Sequence, residues 1–104
     1  LVVFLGDNGP QFWRGKCNPT EGGCRVPVLA AWPGVIEPGR TSDALVSTID
    51  VLPTLAEVAG FDPPAGVAGK SLMPLWTGKA DKVRDLLATE FTSHTEDYFA
   101  PARS

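Results

Sequence analysis

Three observations on the sequence predict an α/β fold in which a mostly parallel sheet is flanked by helices. Leu1-Val2-Val3-Phe4-Leu5 is an unbroken apolar run rich in β-branched and aromatic residues. It lacks the alternation of a strand with one wet face, so it suits a strand covered on both sides. Val26-Pro27-Val28-Leu29-Ala30-Ala31-Trp32 reads as a second buried strand, with Pro27 near its start where a missing N–H is tolerated. Between Val51 and Ala59, the residues Leu52, Leu55, Ala56 and Ala59 follow the stripe of a helix packed on a sheet, and Glu57 is left to face water.

Each element carries its own punctuation. Gly6 closes the first strand, and residues 7–25 form a long loop broken by Gly and Pro, a length that in compact domains usually serves function. Pro33-Gly34 ends the second strand, and Glu37-Pro38-Gly39-Arg40 makes a turn. Asp50 is the expected N-cap of the helix, Pro53 falls in its first turn, and Gly60 supplies its stop. Residues 61–70 are a Pro/Gly loop, and Ser71 opens a short turn or helix through Leu72, Leu75 and Trp76 that stops at Gly78. Lys79 to Asp85 is a charged connector, and Leu86 to Phe91 reads as a third strand. Because the first residue already lies in a strand and the end is abrupt, residues 1–104 are expected to be an internal fragment of a larger catalytic domain.

Composition narrows the function classes. The chain has 104 residues, 43% of them apolar, which is enough material for a small core. Twelve acidic against nine basic residues give a formal net charge of −3, which disfavours nonspecific nucleic-acid binding and leaves no polybasic membrane patch. No apolar run approaches the length of a membrane span. The cations are grouped nonetheless: Arg14, Lys16 and Arg25 share the loop after the first strand, where an anionic substrate would need them.

That loop opens with Asp7-Asn8-Gly9-Pro10 at the C-terminal end of the first strand, the edge where open α/β sheets place their ligands. A carboxylate beside a carboxamide offers two hard oxygen donors with one negative charge, a pair suited to Ca²⁺ or Mg²⁺. The same four residues are also common turn formers. Cys17 and Cys24 flank Glu21-Gly22-Gly23 and could close a small loop or remain free thiols. A zinc site is not expected, because His94 is the only histidine and is remote from both.

Strand, Asp-Asn-Gly-Pro, Gly15-Lys16, Glu-Gly-Gly-x-Arg25-Val-Pro, Trp32-Pro-Gly-x-Ile and Ser47-Thr-Ile-Asp-Val-Leu-Pro-Thr-Leu occur in one fixed order. This series resembles the sulfatase family of the alkaline-phosphatase-like superfamily from Leu1 to about Leu75, and again from Thr89 to Ser104. The resemblance implies hydrolysis of sulfate esters or sulfamates by a formylglycine nucleophile beside Ca²⁺, with Asp7 and Asn8 as the last two metal ligands. It makes Lys16 the catalytic and substrate-binding cation at the sulfate. Glu21 would order the loop, and Arg25 would position it or bind an acidic group. Cys17-Asn18-Pro19-Thr20-Glu21 imitates the nucleophile pattern but ends in Glu where that pattern needs Arg.

Within the family, the short gap from Asp7-Asn8 to Gly15-Lys16 and the segment Glu90 to His94 are most similar to heparan N-sulfatase (N-sulfoglucosamine sulfohydrolase) and its bacterial relatives. That implies a sulfated saccharide substrate, Glu90 and His94 as sugar contacts, and a periplasmic, secreted or lysosomal setting. The formylglycine, the first aspartates of the metal site, and the family's catalytic histidines and second lysine belong upstream of these residues. The segment alone is therefore expected to bind metal poorly and to have no turnover. Two other readings stay open at this point: a phosphoester or phosphonate hydrolase of the same superfamily, and a noncatalytic homologue that keeps only the fold.

Overall fold

The computed structural model describes residues 1–90. Along the chain run β1 (Val2–Leu5), α1 (Glu21–Cys24), β2 (Val28–Ala31), a 3₁₀ turn at Thr48–Asp50, α2 (Val51–Ala59) and α3 (Met73–Trp76). The described residues fall into two compact units, one of Leu1–Leu5 with Val28–Leu87 and one of Gly6–Pro27 with residues 88–90.

In the first unit β1 and β2 pair antiparallel, with Val2 opposite Ala31, Val3 opposite Ala30, Phe4 opposite Leu29 and Leu5 opposite Val28. Among the described residues the sheet has two strands that run in opposite senses, so this pair differs from the parallel neighbours expected of a mostly parallel sheet. The physical reason lies in the connection. A parallel pair needs a crossover, usually a helix laid on the sheet, whereas the segment between β1 and β2 has only the single turn of α1 and doubles back. Burial is also one-sided. Val3, Leu5 and Ala30 are half-buried, while Val2 is 68% exposed, Phe4 58% and Leu29 63%. The protected face lies toward the second half of the unit, where Val3, Leu5 and Val28 line an apolar cleft with Val51, Leu72 and Trp76. Residues of one sheet face and of the helical segment thus line one cleft, which is compatible with part of an α/β fold.

Helix α2 has the bounds its sequence predicts. Gly60 takes the left-handed conformation at φ 78°, which a Cβ would disfavour. Its N–H donates to the Glu57 carbonyl at 3.1 Å, and the Phe61 N–H reaches back to the Ala56 carbonyl at 2.9 Å, so the last carbonyls are satisfied.

The start of α2 differs from expectation. Asp50 is itself helical and makes no side-chain cap to α2; the 3₁₀ turn extends the helix backward, and the Ser47 N–H donates to Asp50 Oδ2 at 2.8 Å. The buried stripe is rotated as well. Pro53 and Thr54 are buried, whereas Leu52 and Leu55 are 53% and 43% exposed. Polar groups occupy the inside because they are paired there. The Thr54 hydroxyl donates to the Asp50 carbonyl at 2.5 Å and accepts from the Leu72 N–H at 2.9 Å. Among the described residues of this unit, Leu72 and Leu75 are buried apolar side chains.

The charged connector holds Arg84, whose guanidinium pairs with Asp50. The expected third strand is not formed at Leu86–Glu90, where no partner strand stands among the described residues; Phe91 lies outside them. No helix among the described residues is long and apolar enough to cross a membrane.

Candidate functional site

The second unit is built by backbone hydrogen bonds on a glycine framework. Gly6 N–H donates to the Pro27 carbonyl at 2.9 Å, and Gly9 N–H to the Gly23 carbonyl at 3.0 Å. Between them the chain makes a compact turn in which the Pro10 carbonyl accepts from both Phe12 and Lys16, each at 2.8 Å, and Gly15 N–H reaches the Phe12 carbonyl at 2.8 Å. Thr20 ties this turn to the next, its hydroxyl donating to the Arg14 carbonyl at 3.2 Å and its N–H to Asn18 Oδ1 at 3.0 Å.

The close approaches explain the glycines. A Cβ on Gly9 would overlap the Gly22 carbonyl oxygen, one on Gly15 the Pro10 carbonyl oxygen, and one on Gly23 the Asn18 carbonyl oxygen. Arg14 and Cys17 sit at φ 62° and 64°, positions that ordinarily favour glycine.

On this framework stand the residues read from the sequence. Asp7 and Asn8 are adjacent and exposed directly after Gly6 at the exit of β1. Asn8 Nδ2 donates to the Gly9 carbonyl at 2.8 Å, which fixes the amide and leaves Oδ1 available as an acceptor. Lys16 is exposed, and its backbone is held by Pro10. Asp7, Asn8 and Lys16 therefore share one hydrogen-bonded loop. Arg25 pairs with Glu21 at 3.3 Å, but with side chains 79% and 83% exposed the bridge contributes little to stability.

Glu90 is exposed and outside any regular element, and His94 lies outside the described residues. Cys17 and Cys24 are free and exposed, and the Cys24 thiol donates to the Asn18 carbonyl at 3.4 Å. Among the described residues no three of His, Cys, Asp and Glu gather around one point. The loop thus offers two hard oxygen donors, short of the six to eight that Ca²⁺ takes.

Sequence reasoning passed over two aromatic side chains in this loop. Phe12 is 80% exposed and Trp13 91% exposed, between Pro10 and the cations Arg14 and Lys16. The signal for them was present: large aromatic residues inside a loop with no apolar periodicity have no core to enter.

Comparison with known proteins places the chain in a family. Residues 9–100 match the family model described as N-sulphoglucosamine sulphohydrolase, C-terminal. The chain is 42% identical over 100 residues to arylsulfatase A of Homo sapiens, covering 84% of this chain and 20% of that protein. Steryl-sulfatase of Rattus norvegicus is 47% identical over 86 residues, covering 74% of this chain and 15% of the relative. The ulvan-active sulfatase of Formosa agariphila is 40% identical over 85 residues, covering 82% and 16%. The chain thus spans about a fifth or less of the length of these relatives. With the ordered motifs, the loop that carries them and these matches in agreement, the chain belongs to the sulfatase family.

Proposed function

We propose that the intact protein is a Ca²⁺-dependent sulfatase that hydrolyses sulfate esters or sulfamates on sulfated sugars, with N-sulfated glucosamine as the preferred unit. The observation that carries this reading is the placement of Asp7, Asn8 and Lys16 on one hydrogen-bonded loop at the exit of β1. The family model's description and the ulvan-active relative support a sugar as the sulfate carrier.

The donor set fits a hard cation. The Asp7 carboxylate and Asn8 Oδ1 would hold Ca²⁺ from one side, and the remaining ligands and the formylglycine nucleophile would come from sequence outside this chain. When bound, the ion supplies a fixed positive charge against the sulfuryl oxygens. Asn8 contributes without adding a second negative charge, so the site keeps its attraction for an anionic substrate. Lys16 binds the sulfuryl group as a point charge on a flexible stem and stabilises the negative charge that develops on the leaving oxygen. Its backbone N–H is held by the Pro10 carbonyl, which fixes the root of that stem on the loop. Glu90 and His94 would contact the sugar. In the intact protein the β1–β2 pair would belong to a mostly parallel sheet, and its exposed face at Val2, Phe4 and Leu29 would be covered by flanking helices.

The test is sulfate release by the intact protein from an N-sulfated saccharide and from an aryl sulfate, with Ca²⁺ titrated after chelation. Asp7→Ala should nearly abolish turnover and weaken Ca²⁺ binding, whereas Lys16→Ala should lower kcat more than it loosens the metal. Near-normal turnover and calcium affinity in Asp7→Ala would overturn the metal assignment.

A further inference from the structure

We propose that Thr20 is a positioning residue for Lys16: its hydroxyl fixes the backbone from which the lysine departs, and the lysine's contribution to turnover depends on that hold. This rests on the sulfatase reading above. The first observation is a cap residue that does not cap. Thr20 stands at the N-cap of α1, where a threonine hydroxyl ordinarily accepts from a backbone N–H of the first turn, and it makes no such bond. The hydroxyl instead donates to the Arg14 carbonyl at 3.2 Å, six residues back along the chain. The Thr20 N–H goes to Asn18 Oδ1 at 3.0 Å, and its carbonyl accepts from the Gly23 and Cys24 N–H groups, each at 2.9 Å. Thr20 is thus anchored in α1, and its hydroxyl reaches from that anchor to the turn that carries Lys16.

The second observation is backbone in a costly conformation on both sides of the lysine. Arg14 and Cys17 lie at φ 62° and 64°. Residues other than glycine stay there only where the surrounding structure over-determines them. Here the restraint is α1. A Cβ on Gly22 would come within 2.6 Å of the Arg14 carbonyl oxygen, and one on Gly23 within 2.6 Å of the Gly15 carbonyl oxygen, so bare backbone lies against the residues that lead into Lys16. Past the lysine, the Cys24 thiol donates to the Asn18 carbonyl at 3.4 Å. Packing stops the turn from moving toward α1, and the Thr20 hydroxyl stops it from moving away.

The chemistry makes that hold matter. An ammonium on a flexible stem is directed by the fold through the root of the stem. That root has two restraints: the Pro10 carbonyl on the Lys16 N–H at 2.8 Å, and the Thr20 hydroxyl on Arg14. Losing the second lets the root wander, which costs most in the transition state, where charge develops on the leaving oxygen. Asp7 and Asn8 are held separately, by the Gly6 N–H on Pro27 and the Gly9 N–H on Gly23, so the metal ligands keep their places.

The experiment uses the intact protein as wild type, Thr20→Val, Thr20→Ser, Lys16→Ala and the double variant Thr20→Val with Lys16→Ala. The readouts are kcat for sulfate release, Ca²⁺ affinity by calorimetry, and amide hydrogen exchange at Gly15 and Lys16. Thr20→Val keeps the branched shape and removes the donor. It should lower kcat about three- to tenfold, the scale of one hydrogen bond, with Ca²⁺ affinity held and exchange at Gly15 and Lys16 quickened. Thr20→Ser should restore most of the loss, and Thr20→Val should take nothing further from Lys16→Ala, because two changes that act through one group do not add. Quickened exchange in Thr20→Val of a protein that releases no sulfate as wild type would keep the restraint and reject the sulfatase reading. An unchanged kcat and exchange rate, a loss repeated in full on top of Lys16→Ala, a fall in Ca²⁺ affinity in step with kcat, or a Thr20→Val protein that does not fold would overturn the positioning role.

Discussion

Arg84 grips Asp50 with two parallel hydrogen bonds, Nη1 to Oδ2 at 2.6 Å and Nη2 to Oδ1 at 2.5 Å, across 34 residues of chain. The Asp50 side chain is fully buried and that of Arg84 only 7% exposed. Oδ1 also accepts from the Lys70 N–H and Oδ2 from the Ser47 N–H, each at 2.8 Å. One carboxylate therefore joins the start of α2, the loop before α3 and the charged connector.

Removing either partner should be costly, because the other charge stays buried without compensation. Arg84→Ala in the intact protein is expected to lower stability by about 3–5 kcal/mol. Arg84→Lys should recover only part of it, since an ammonium cannot reproduce the paired geometry. Urea denaturation checks both, and a loss under about 1 kcal/mol for Arg84→Ala would show the pair to be dispensable.

The same pair sets a pH dependence. Burial alone would raise the Asp50 pKa, but hydrogen bonds from Arg84, Lys70 and Ser47 and the guanidinium charge outweigh it and hold the carboxyl below its ordinary value of 3.8. As pH falls, the unfolded chain takes up this proton before the folded one does. The contribution is therefore whole above about pH 3.8 and is lost as pH falls through the lower native value. Acid titration of stability should show this component in wild type and not in Asp50→Asn.

Thr54 is a second buried link, and its hydroxyl is an acceptor that valine cannot replace. Thr54→Val keeps the shape but strands the Leu72 N–H, and is expected to cost about 1–3 kcal/mol. Thermal denaturation of Thr54→Val against Thr54→Ser separates the hydroxyl from the methyl group, with Thr54→Ser the milder of the two.

In the loop, the sensitive position is Gly9. An added Cβ would meet the backbone of Gly22 and Gly23, which cannot yield as a side-chain tip would. Gly9→Ala should displace the strap that closes the loop on Asp7, Asn8 and Lys16, and misplacement on the scale of an ångström costs roughly 100-fold in rate. Sulfate release measured beside Ca²⁺ affinity checks this. Wild-type values for both would mean that the Gly9–Gly23 bond does not position the site.

Local signals were legible in the sequence where the chemistry was local. Gly60 marked the end of α2 because only glycine takes its backbone conformation cheaply, and Asp7-Asn8 marked the exit of β1 because an apolar run breaks there into polar turn formers. Partners distant along the chain were not legible. Asp50 read as an N-cap because its bond to Arg84 leaves no periodic trace. Thr54 was passed over in the helix stripe because a hydroxyl inside looks like an error until its donor, Leu72, is seen. Strand direction escaped as well: an apolar run reports burial, and whether its partner runs parallel or antiparallel depends on how the intervening loop returns.

The bonds from Lys70 and Leu72 to Asp50 and Thr54 have a kinetic consequence. Neither amide belongs to a helix or a strand, yet each donates to a buried acceptor on the α2 side. Their protons can meet solvent only when that anchorage opens, so this stretch of irregular chain takes its hydrogen-exchange protection from a helix some twenty residues away. In cooperative terms the loop belongs to the helix, and the boundary of the folding unit runs past the point where regular structure stops.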